Sequence, residues 1–158
     1  MITITLDTNL INAKKRDHIL NQIEQLKNDG KIKIFKTDVM DTEMQDGGYK
    51  RGLDKSTQLS EDIGTGVWNH SRWDHTKFGN DNDKLLLNQL LEYLFGKKER
   101  AEYIKQEIRD AMHLKTHLNY KRDYFMTRDN DFLSKRVLLK EKFNVNIITP
   151  EEILKIIQ

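Results

Sequence analysis

Five acids stand where a chain could bring them together: Asp7 directly after Leu6 and before Thr8-Asn9, Glu43 after Thr42, Asp110 before Ala111, and Asp129 and Asp131 in the run Thr127-Arg128-Asp129-Asn130-Asp131-Phe132. Carboxylates gathered in one cleft repel each other and raise one another's pKa unless a cation neutralises them. Mg²⁺ or Mn²⁺ is the natural guest, because both are hard ions that prefer oxygen ligands and keep waters for a substrate phosphate to displace. Such ions can activate a water, orient a scissile phosphate and stabilise charge on a leaving oxygen. No protein nucleophile is then needed. That suits a chain without cysteine, which has no disulfide, no thiolate zinc site and no cysteine nucleophile. Any one of these acids, taken alone, reads as a turn former or helix cap. Their joint occurrence carries the chemical reading.

Other chemistry-bearing residues are less informative. His113 and His117 are spaced to share a helical face, yet no third ligand follows at zinc spacing, so they read as an exposed pair and not as a zinc site. Trp68, His70, Trp73 and His75 could stack on unpaired bases or pack a subregion of the fold. Lys and Arg total 27 against 25 Asp and Glu, so a net charge of +2 does not by itself point to a nucleic-acid partner. Basic clusters such as Lys14-Lys15-Arg16, Lys50-Arg51 and Lys121-Arg122 read as solvated surface or as phosphate contacts.

The elements that must position the acids follow from hydrophobic period. Ile2, Ile4 and Leu6 alternate with threonines, a strand ending at Asp7. Asp17 caps a helix with Ile19, Leu20, Ile23 and Leu26 on one face, closed by Asn28-Asp29-Gly30. Residues 31–36 form a second strand, whose alternating lysines imply a sheet edge. A short helical start runs through Glu43, and a polar insertion at about 45–83 follows, holding Gly47, Gly48, Gly52, Gly64, Gly66 and Gly79. Helices are expected over 85–95 and 101–114, a strand over 123–127, a helix over 132–142, a strand over 145–149 and a last helix opening at Pro150. Alternation of this kind implies one domain over residues 1–158, an α/β three-layer α/β/α sandwich whose central, mostly parallel sheet has about four to five strands with the first one central. Asp7 and Asp129 would then lie beyond the carboxyl ends of strands, where such sheets place their clefts.

At these residues the chain resembles the PIN-domain nucleases. The likeness runs through nearly the whole length, from the opening strand with Asp7-Thr8-Asn9, through Asp110-Ala111, to the Thr127–Leu133 turn and the Ile147-Ile148-Thr149-Pro150-Glu151-Glu152 ending. It implies a metal-dependent endoribonuclease hydrolysing RNA phosphodiester bonds, with Asp7, Glu43, Asp110 and Asp129 as its acids. Asp38, Asp41 or Asp46 would take the place of Glu43 under a small shift of alignment. On this resemblance Asp7, Asp110 and Asp129 bind metal, Glu43 binds metal or positions the attacking water, Asp131 adds a ligand, and Asn9 and Thr127 hold carboxylates by hydrogen bonds. It further implies a toxin role with an antitoxin protein as partner, and a homodimer. The long polar segment after Met44 departs from shorter family members.

Competing classes fare less well. A catalytically silent PIN-like module that binds RNA or another protein leaves the acidic set unexplained. A phosphatase with a related sheet would carry Asp-x-Asp after the first strand, where this chain has Asp7-Thr8-Asn9. No glycine-rich phosphate loop follows that strand. The opening residues lack a basic region and long apolar run, and no stretch is long enough to cross a bilayer, so a cytoplasmic protein is expected.

Overall fold

A computed structural model describes residues 1–71 and 77–157. One sheet of five parallel strands has the order β3-β2-β1-β4-β5, with β1 Ile2–Leu6, β2 Ile32–Thr37, β3 Ser60–Asp62, β4 Tyr124–Met126 and β5 Ile147–Ile148. The helices are α1 His18–Asn28, α2 Asp38–Asp46, α3 Lys50–Ser56, α4 Asp81–Phe95, α5 Lys105–Tyr120, α6 Asn130–Leu133, α7 Arg136–Phe143 and α8 Pro150–Ile157. The three-layer sandwich and the central first strand are as the pattern implies. No helix among the described residues is long and apolar enough to cross a membrane.

Alternation along the strands builds two cores. Ile4 and Leu6 of β1, Ile32 and Ile34 of β2, Met126 and Ile148 pack on one face with Leu20 and Ile23 of α1 and Ile153 and Leu154 of α8. Phe125 of β4 turns to the other face, joining Leu90, Leu91 and Leu94 of α4, Leu114 of α5 and Leu139 of α7. Each of these aliphatic side chains contributes about 2 kcal/mol by leaving water. Thr5, between Ile4 and Leu6, is fully buried on the second face, so β1 is covered on both sides as a central parallel strand must be.

The edge position expected of β2 is incorrect. β3 pairs alongside it, with Thr37 opposite Asp62, and β2 becomes an interior strand. Its last lysine is accordingly buried: Lys36 Nζ donates to Asp41 Oδ2 at 2.6 Å, and Ser56 Oγ donates to Asp41 Oδ1 at 2.6 Å. This network ties β2, α2 and α3 together. The polar segment at 45–83 thus contributes α3 and a strand of the sheet. Helical boundaries differ too. Ala101 lies in a single 3-10 turn, α5 runs on to Tyr120, and the helix expected over 132–142 is broken into α6 and α7.

Sheet order reverses between β1 and β4, since the chain moves outward through β2 and β3 and then returns to the other side of β1. The carboxyl ends of β1 and β4 therefore meet at the crevice that parallel α/β sheets use for ligands.

Candidate metal centre

Asp7 leaves β1 with its backbone N–H donating to Met126 O at 3.0 Å, which fixes the ends of β1 and β4 side by side. The buried Thr127 hydroxyl then donates to Asp7 Oδ2 at 2.5 Å and accepts the Asp129 backbone N–H at 2.8 Å. One threonine thus orients two of the acids. Asp129 caps α6, its Oδ1 accepting the Asp131 N–H at 2.8 Å.

α5 supplies the opposite wall. Asp110, His113 and His117 lie at i, i+3 and i+7 and present one polar face, while Ala111 and Leu114 face the apolar core. The two histidines are buried, not exposed as their spacing alone had implied. His113 bridges to α2: its Nε2 lies 3.0 Å from Glu43 Oε2 and its Nδ1 lies 2.6 Å from Thr37 Oγ1. Thr8 Oγ1 also donates to Glu43 Oε2, and Gln106 Nε2 spans Glu43 Oε1 at 3.0 Å and Asp110 Oδ1 at 2.8 Å. His117 Nδ1 lies 2.8 Å from Thr5 Oγ1, under the sheet.

Asp7, Glu43, Asp110 and Asp129 all line one open cleft of about 880 Å³. Among the described residues, Asp110, Asp129 and the exposed Asp131 place carboxylate oxygens within 4.8 Å of one another, a set that could hold a metal ion. Three hard oxygen donors suit Mg²⁺ or Mn²⁺. Asp7 and Glu43 flank this trio. The alternatives to Glu43 have partners of their own: Asp38 accepts the Gly64 N–H at 3.0 Å, Asp41 holds Lys36, and Asp46, at the side of the same cleft, pairs with Arg109 and Lys105. Gly64 can come this close only without a side chain, because a Cβ there would lie 2.5 Å from Thr116 Oγ1. Asn9 lines the cleft but makes no side-chain hydrogen bond among the described residues, and Thr8 does the work expected of it.

Electrostatics separates the acids. Burial lifts Asp110 to about 7, against the hydrogen bond from Gln106 and the charge of His113. Burial also raises Asp7, although His113 and Thr127 oppose it. Burial would raise Glu43 as well, but His113, Thr8 and Gln106 outweigh it and hold Glu43 at about 2. His113 is driven to about 9: burial alone would lower it, and the facing carboxylates of Glu43, Asp7 and Asp110 overcome that. His117, whose ring meets the Thr5 hydroxyl, is pushed to about 4 by burial and then by the charge of Arg122, against a smaller opposing pull from Asp123, and stays neutral. On one helix, a carboxylate hydrogen-bonded to the ring separates the charged His113 from the neutral His117.

His113 is the site residue that sequence reasoning missed. The signal was its helical register with Asp110, which places both on the face that meets the strand ends. Trp68 and His70 lie in the turn after Val67, and Trp73 and His75 fall outside the described residues. No family model and no curated protein sequence matches this chain.

Proposed function

We propose that the protein is a divalent-metal-dependent endoribonuclease, the activity that its resemblance to PIN-domain nucleases implies. The observation that carries this reading is the gathering of Asp7, Glu43, Asp110 and Asp129 in one cleft at the switch point of a parallel sheet, with Asp110, Asp129 and Asp131 close enough to share an ion. Asp110, Asp129 and Asp131 would hold Mg²⁺ or Mn²⁺, which when bound supplies positive charge to a phosphate and lowers the pKa of water. Asp7, lifted by burial and held by the Thr127 hydroxyl, would take a proton from an attacking water. Glu43 acts by position. Its oxygens are occupied by Thr8, His113 and Gln106, and its low pKa makes it a poor proton acceptor.

That saturation of Glu43 favours a second reading, a PIN-like module that binds RNA or a protein without cutting. Cleavage of mixed-sequence single-stranded RNA and matching DNA by wild type and Asp7→Asn, in Mg²⁺, Mn²⁺ or EDTA, separates the two. The nuclease reading expects metal-dependent RNA cutting that Asp7→Asn lowers by at least about a hundredfold. Intact RNA with folded wild type in both metals would favour the binding module.

A further inference from the structure

Beside the acids the same cleft carries a cationic wall with an unfinished partner set. Arg109, next to Asp110 on α5, is only 6% exposed. Its guanidinium reaches Asp46 through Nη2, yet its Nε has no hydrogen-bond partner among the described residues. A buried guanidinium with an unmet donor is costly, and a planar fork of this kind matches phosphate oxygens. Asp46 is the anion paired with it, and it also takes Lys105 Nζ at 2.7 Å. Its side chain is 46% exposed at the end of α2, beside the Gly47-Gly48 turn, so it can be displaced. Tyr49, 68% exposed, follows that turn at the rim of the cleft, with Lys50 and Arg51 beyond it. The same charges reach His70: burial first, and then Arg109, Arg100 and Lys105, hold its imidazole below the usual range.

We infer that Arg109 and Lys105 form a subsite for a backbone phosphate of single-stranded RNA adjoining Asp110, that Asp46 occupies this subsite as a phosphate mimic in the free protein, and that Tyr49 stacks on the neighbouring base. This rests on the nuclease reading for the identity of the strand. A phosphate entering the subsite exchanges places with the Asp46 carboxylate and meets the donors Asp46 leaves. A base beside it can lie on the Tyr49 ring, a contact that tolerates any sequence. Arg109 lines the same cleft as the acids and Lys105 joins it through Asp46, so a bound strand would be drawn past Asp110 and not to a remote face.

The test is the affinity of fluorescent mixed-sequence single-stranded RNA for wild type, Arg109→Gln and Asp46→Asn, by anisotropy in EDTA over a range of salt. Asp46→Asn, which removes the competitor, tightens binding by about threefold or more. Arg109→Gln weakens it by about tenfold or more and lowers the steepness of the salt dependence by about 0.7. Loss of folding cannot produce the gain expected of Asp46→Asn. Equal affinities in all three proteins, weaker binding by Asp46→Asn, or no RNA binding by wild type would overturn the subsite. Wild type that cuts RNA while the variants bind alike sinks the subsite and leaves the nuclease reading standing. The expected order of affinities without metal-dependent cutting supports the subsite and removes the nuclease reading.

Discussion

His113 is the side chain on which the charge balance of the cleft turns. Fully buried, it survives as an imidazolium because Glu43 faces it at 3.0 Å, and the pair in turn keeps Glu43 ionised. The acids at strand ends were legible in the sequence, because an aspartate after an apolar alternation has few places to go. His113 was not, since a histidine at helical spacing looks like a solvated one until the helix is known to be covered on that face. Replacing it with leucine leaves a buried carboxylate without its counter-charge, and His113→Leu should cost about 3 kcal/mol in urea unfolding. The pH window follows from both partners. Glu43 falls from 4.5 to about 2 on folding, so its share is present above 4.5 and lost as pH drops towards 2. His113 rises from 6.5 to about 9, so its share is present below 6.5 and lost as pH climbs through 9. The gap between wild type and His113→Leu should therefore be widest between 4.5 and 6.5 and close on either side. A gap that stays constant with pH would show that the ion pair is not its source.

At the scale of elements, β1, β2, β4, β5 and most helices were readable from period and caps, as with Asp17, whose side chain accepts the Leu20 N–H at 3.0 Å. β3 was not readable. Ser60, Glu61 and Asp62 have no apolar alternation, and the strand owes its place to neighbours distant in sequence. Arg122 grips Asp62 with two hydrogen bonds of 2.8 and 2.6 Å, and its guanidinium lies 3.5 Å from the centre of the Phe35 ring on β2. Missing that strand also put β2 at the edge and left the burial of Lys36 unforeseen. Asp62→Ala should cost about 2 kcal/mol and speed amide hydrogen exchange in β3 before the rest of the sheet. Unchanged exchange there, with stability shifted by less than about 0.5 kcal/mol, would mean that backbone pairing alone holds the edge.

For the whole molecule, the alternation of strands and helices made the parallel sandwich legible, and its order around β1 explains why residues more than a hundred positions apart share one cleft. What the sequence could not display was how the protein settles so many acids side by side: Gln106 spans two of them, His113 supplies one positive charge, and burial lifts Asp110 to about 7. The last of these would make metal binding a proton-coupled event. Asp110 is raised on folding, so it keeps a proton up to about 7, and a cation taken by the proposed site would have to expel that proton to reach the carboxylate. The most direct measurement is a calorimetric titration of Mn²⁺ into wild type and Asp110→Asn at pH values on either side of 7. Binding to wild type should tighten as pH rises and release protons on the acid side, with affinity reduced by at least about tenfold in Asp110→Asn and its pH dependence lost. Absence of Mn²⁺ binding to the folded wild type, or equal binding by both proteins, would contradict the proposed site.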